Sequence, residues 1–180
     1  MEHGVKMLEL LLLRHAKSRW DEPGAGDHER DLAPRGVKAA ERMGRLLVEM
    51  GLTPDLVICS TARRAARTWE LAAAMVDTAI PTLFDDRFYL AAPERMLAVI
   101  RERGGDARRL LLVGHDPGIH RLALDLAAAG DKAELAALAA KFPTGALARF
   151  ELPVAAWREL AGQRGRLLGF WTPRGLVAAR

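Results

Sequence analysis

The chain has 180 residues, half of them hydrophobic and 28% charged, with a formal net charge of +4; residues 1–180 are expected to form one soluble domain around one core. No apolar segment approaches the ~20 residues of a membrane span, Met1-Glu2-His3-Gly4 lacks a basic leader region, and the lone cysteine permits no intrachain disulfide, so a reducing cytoplasmic setting is expected. The arginines are scattered among acids and only 6% of residues are aromatic, which argues against a nucleic-acid partner.

In chain order, residues 8–13 read as a buried strand, a leucine run interrupted only by Glu9. It stops abruptly at Arg14-His15-Ala16-Lys17-Ser18. Residues 19–33 read as a polar loop lying over that strand end. A helix over 34–50 follows, with Pro34 at its start and Gly51 just past its end. A strand at 56–59 leads through Ser60-Thr61, expected as capping residues, into a helix over 62–76. A strand at 82–84, a helix over 93–102 and a strand at 110–113 come next. Asp116-Pro117 reads as the N-cap and first-turn proline of a helix over 117–129. Gly130-Asp131 separates it from a helix over 132–140; a strand at 146–152, a short helix at 154–160 and a strand at 167–171 complete the chain. This alternation, without repeats or long linkers, predicts a three-layer α/β/α fold with a mostly parallel central sheet.

Ligands of open α/β sheets bind at the carboxyl ends of strands, and three strand ends here carry polar groups. The first offers Arg14, His15 and Ser18. The second passes into a helix whose first turn holds Arg63 and Arg64; helical side chains lean back toward the N-terminus, so either arginine can reach an anion that also meets the helix dipole. The third, Val113-Gly114-His115-Asp116-Pro117-Gly118, places His115 where a strand stops. Two arginines and two histidines make a cationic cup suited to a phosphoryl group. A neutral imidazole supplies a nucleophile, and a second, protonated one is expected to stabilise the phosphoryl oxygens. The set needs no metal or cofactor.

Taken singly, each residue has a plainer role: a strand-end histidine is usually a satisfied loop residue, and Arg64 alone reads as a solvated helix residue paired with Glu70. Their joint occurrence at three junctions favours function. Cys59 is not a cysteine-phosphatase nucleophile, because Ile58 precedes it and Ala65 stands where that motif needs arginine. His115 and His120 are five apart, off the i, i+4 spacing of paired metal ligands, and neither they nor Asp116 and His28 are expected to bind metal.

These residues resemble the histidine phosphatase superfamily, with its phosphoglycerate-mutase-like fold, and more narrowly its SixA-type phosphohistidine phosphatases. Arg14–Trp20 is similar to the Arg-His-Gly/Ala signature, residues 31–36 to the loop-to-helix segment that follows, and Ser60–Thr68 to the Ser-Pro-x-x-Arg-Ala-x-x-Thr motif, with Thr61 in place of proline. That last match selects Arg64 over Arg63. Residues 113–119 are similar to the second histidine motif, and the Pro-Arg-Gly-Leu at 173–176 to the family's ending. The resemblance implies that His15 is the nucleophile, that Arg14, Arg64 and His115 hold the phosphoryl group together with Ser18, and that water then attacks phospho-His15. Where relatives acting on alcohol phosphates carry a proton-donating acid, this chain aligns Leu90, with Asp86 the nearest alternative. Asp21 stands where mutase-type relatives have a phosphate-facing asparagine. A leaving imidazole needs far less protonic help than an alkoxide. The expected activity is therefore hydrolysis of phosphohistidine on a signalling protein; a phosphatase of small phosphomonoesters and a non-catalytic phosphate-binding domain are the alternatives.

Overall fold

The computed structural model describes residues 7–21, 23–162 and 164–178; the reading of the first four residues as leaderless lies outside them. Seven strands form one sheet in the order β3-β2-β4-β1-β6-β7-β5. They are β1 (Leu8–Arg14), β2 (Leu56–Ser60), β3 (Thr82–Asp85), β4 (Arg109–Gly114), β5 (Ala127–Gly130), β6 (Leu147–Leu152) and β7 (Gly165–Trp171). The helices are α1 (Pro34–Glu49), α2 (Arg63–Ala73), α3 (Pro93–Arg103), α4 (Gly118–Leu126), α5 (Lys132–Ala140) and α6 (Pro173–Ala178). β6 runs antiparallel to both its neighbours; the remaining pairings are parallel.

The leucine run explains why β1 lies inside the sheet. Successive side chains point to opposite faces, so Leu8, Leu10 and Leu12 enter one core while Leu11 and Leu13 enter the other. A strand covered on both faces must be apolar at nearly every position. Burying each of these leucines contributes roughly 1.5–3 kcal/mol relative to exposure. On the first face lie Met96, Val99 and Ile100 of α3, Ile119, Leu122 and Leu126 of α4, and Leu138 of α5. On the second lie Met43 and Leu47 of α1 and Trp69 and Ala72 of α2. Helices on both faces give the three layers.

Local details depart from the sequence expectations. The helix read over 117–129 stops at Leu126, because Ala127–Gly130 pair in parallel with β7; alanine's helical preference yields there to the sheet edge. Pro117 is the N-cap rather than the first helical residue, its bond to Asp116 is cis, and no side chain caps α4. Ala62, not Ser60 or Thr61, is the N-cap of α2, which ends at Ala73. The helix read at 154–160 reduces to one 3-10 turn, Trp157–Glu159.

Candidate active site

β1 and β4 are parallel neighbours in register, Arg14 opposite Gly114, and the His15 amide extends the ladder by donating to the Gly114 carbonyl at 3.0 Å. The chain therefore delivers Arg14-His15 and Gly114-His115 side by side. On the other side of β4, β2 ends at Ser60 and α2 begins at Arg63. Arg64, 3% exposed, leans back over these strand ends. Thr68, one helical turn on, donates to the Arg64 carbonyl at 2.6 Å and accepts from the Ala16 amide at 2.9 Å, tying α2 to the end of β1.

Arg64 lies between the two histidines. Its Nε donates toward His15 Nε2 at 3.4 Å and its Nη2 toward His115 Nδ1 at 3.3 Å. Because a guanidinium only donates, both of those ring nitrogens present lone pairs. The opposite nitrogens carry the protons: His15 Nδ1 donates to the Ala16 carbonyl at 2.8 Å, and His115 Nε2 to Ser60 Oγ at 2.7 Å. Burial pushes His15 down to about 3, a fall that the Ala16 bond opposes and His115, Arg64 and Arg14 reinforce. Burial likewise takes His115 to about 3, with Arg64 and Arg14 adding to it and Asp27 opposing. Both rings are thus neutral near pH 7. In a buried site already holding two guanidinium groups, a third positive charge is unfavourable until an anion compensates it.

Arg14 donates from Nη1 to the Phe142 carbonyl at 2.7 Å. Its Nε and the Oδ1 of Asp116 are the buried side-chain polar atoms without a hydrogen-bond partner among the described residues. An unpartnered buried donor on a cation is costly unless a ligand completes it. Ser18 is also buried, yet its hydroxyl is joined to Arg30 rather than to the histidines. Arg63 points away, pairing with Asp31 at 2.7 Å.

The 19–33 loop does cover this strand end, and it contributes a residue that the sequence reading passed over. Asp27, in the 3-10 turn Asp27–Glu29, accepts from Arg64 Nη2 at 3.1 Å and from Arg30 Nη1 at 2.9 Å, and its carbonyl accepts from Arg64 Nη1 at 2.6 Å. The Tyr89 hydroxyl donates to the same carboxylate, and the Tyr89 ring stands edge-on to His115, centroids 5.5 Å apart. Tyr89 is the only tyrosine in the chain, and Asp27 lies in a segment recognised as a site cover; those were the available signals. Asp21 is exposed and paired with Arg19. Cys59 is buried, its thiol pushed up by burial and inert as a nucleophile. Among the described residues no group of three or more His, Cys, Asp or Glu is placed to hold a metal ion.

Fold and site together define an α/β protein with two arginines and two histidines gathered at the carboxyl ends of its parallel strands. The chain belongs to the histidine phosphatase superfamily: branch 1 of that superfamily matches residues 10–89. It is 37% identical to an uncharacterised protein of Mycobacterium tuberculosis (strain H37Rv) over 164 residues, 90% of this chain and 100% of the relative. Among solved structures it is similar to a candidate phosphohistidine phosphatase SixA from Nakamurella multipartitia, with TM-score 0.77 and 27% identity over 93% of this chain and 96% of that one. It also shares the fold of the protein histidine phosphatase SixA complexed with tungstate, with TM-score 0.73 and 17% identity over 94% and 99% of the two chains.

Proposed function

We propose that the protein is a phosphatase of protein phosphohistidine that works through a phosphorylated His15. One observation carries the reading: His15 Nε2 presents its lone pair beside the buried Arg64 guanidinium, while Nδ1 is committed to the Ala16 carbonyl. A lone pair held neutral by burial is ready to attack at any pH above the acid range. Arg14, through its unpartnered Nε, and Arg64 bind the phosphoryl oxygens, with the start of α2 adding its dipole. The incoming dianion compensates the two guanidinium groups and makes protonation of His115 favourable, so that the imidazolium forms with the substrate rather than before it. Ser18 acts one contact away, by holding Arg30 against Asp27.

In the first step the Nε2 electron pair forms a bond to phosphorus, the substrate's P–N bond breaks, and its electron pair stays on the departing imidazole. In the second, water oxygen bonds to phosphorus, the pair of the P–Nε2 bond returns to His15, which keeps its Nδ1 proton, and inorganic phosphate leaves with the water's oxygen and both its protons. The leaving group favours phosphohistidine over alcohol esters. Leu90, where the resemblance expects an acid, is 54% exposed and cannot donate a proton, and Asp86 is exposed in the 3-10 turn that follows β3.

Turnover of a phosphohistidine protein, measured beside a panel of sugar and nucleotide phosphates with His15→Ala as control, tests this. Phosphohistidine hydrolysis that disappears in His15→Ala, with acid-labile phosphate trapped on the wild-type protein, is expected. Efficient sugar-phosphate turnover without phosphohistidine activity would sink the reading, and binding without turnover would favour a phosphate-binding domain.

A further inference from the structure

Asp27 places an anion where an anion-binding site least invites one. Its carboxylate is held by three donors, Arg64 and the Tyr89 hydroxyl on Oδ2 and Arg30 on Oδ1. The side chain is still 47% exposed, so part of it faces outward from the cup. Tyr89, whose ring edges both His115 and His28, holds the carboxylate through its hydroxyl on the His115 side of the cup. The Tyr89 hydrogen bond, followed by the Arg64 and Arg30 contacts, lowers the Asp27 carboxyl to about 2 against the opposing effect of burial. It is a permanent carboxylate and has no proton to give.

We propose that Asp27 is the specificity-determining residue of the site, accepting a hydrogen bond from the ring N–H of a departing imidazole and repelling leaving groups that carry their own negative charge. This rests on the phosphohistidine reading above and deepens it. A phosphorylated imidazole has a second ring nitrogen that takes up a proton near neutrality. With that proton in place the P–N bond breaks to give a neutral imidazole directly: its electron pair moves to the ring, phosphorus bonds to His15 Nε2, and the N–H stays on the departing ring, hydrogen-bonded to the Asp27 carboxylate. No acid is needed, which is consistent with Leu90 standing at the expected acid position. A phosphoglycerate or nucleotide brings a further carboxylate or phosphate toward Asp27 and is disfavoured. Asp27 also competes with any bound phosphoryl group for Arg64 Nη2, so its removal frees that donor for anions.

The test is the direction in which two substrates move. Asp27→Asn and Asp27→Ala are expected to lower kcat/KM for a phosphohistidine peptide by about tenfold or more, the worth of one charge-assisted hydrogen bond. The same variants should lower KM for 3-phosphoglycerate and tighten inhibition by inorganic phosphate severalfold. Thermal unfolding, with Asp27 on the surface loop, verifies that both variants fold. Parallel losses on both substrates would mean that Asp27 only clamps Arg64, and no change on either would leave it no role; each overturns the inference while phosphohistidine turnover by the wild type leaves the proposed function standing. A wild type without phosphohistidine turnover would remove both.

Discussion

His15 and His115 face each other with ring centroids 5.1 Å apart and planes tilted by 50°, and each offers a lone pair to the same guanidinium, that of Arg64. Two imidazoles at this distance cannot both be protonated cheaply, least of all beside two arginines. The pair is therefore a neutral, preorganised acceptor site until an anion enters it.

Stability should follow this protonation. Each ring takes a proton near 6.5 in its ordinary state but only at about 3 in the folded protein. Between those values the unfolded chain binds more protons, so stability falls with falling pH. The expected result is a Tm that is level between about pH 7 and 8 and declines from roughly pH 6.5 down to about 3, followed by scanning calorimetry across buffers. Asp27, at about 2 when folded against 3.8 ordinarily, adds to the decline only below pH 3.8. A Tm rising on acidification from pH 7 to 5 would contradict the neutral-pair description.

Arg64→Met keeps volume at a buried position and deletes the charge between the rings. The imidazole pKa values of His15 and His115, read from NMR titration, should move up toward their ordinary value, because Arg64 depresses both. Turnover should fall by about 10²–10³, as when one preorganised donor to a developing anion is lost. Arg64→Lys should not rescue it, since a point charge cannot serve both histidines and Asp27 from a planar fork.

Leu90→Glu supplies a carboxylic acid at an exposed position next to Tyr89. Leu90 sits in the left-handed region at φ 48°, a strain that either residue bears alike. Hydrolysis of p-nitrophenyl phosphate has a good leaving group and should change little, whereas sugar-phosphate hydrolysis should rise by about tenfold, below the 10²–10⁴ of a fully placed acid. Comparing the two substrates measures the missing proton donor.

Gly118 begins α4 against the loop that carries Tyr89. A Cβ there would lie 1.8 Å from the Ala91 carbonyl oxygen, so Gly118→Ala must shift Ala91 or the start of α4, and the expected path is through the loop toward Tyr89. Chemical denaturation should show a loss of about 1–3 kcal/mol, the usual cost of overpacking. Turnover should fall with it as Tyr89 moves from Asp27 and His115.

What the sequence made legible followed from strong local patterns. The leucine run of β1, the prolines opening α1 and α3, and Gly51 after α1 fix most elements because each acts within a few residues. Arg14, His15 and His115 were legible as a group because each follows a strand and strand ends converge, whereas position left Arg63 and Arg64 equal and only the family resemblance selected Arg64. Asp27 and Tyr89 were not, since their meeting depends on how two loops fold over the sheet. Nor was the neutrality of His115, which arises from burial and the nearness of Arg64. The strand Ala127–Gly130 stayed hidden because its alanines carry no strand signal; only the β7 edge makes it one.

The Arg14–Gly114 register has a consequence for how the molecule breathes. The amides of Arg14 and His15 donate to Ala146 and Gly114 within the sheet, so their hydrogen exchange should require global unfolding. Among the described residues of the 19–33 loop, side-chain ion pairs and the Ser18–Leu32 bridge supply most of the hold, and their amides should exchange through small, frequent openings. The half of the cup that carries His15 is expected to be as durable as the fold, and the half that carries Asp27 to open far more often.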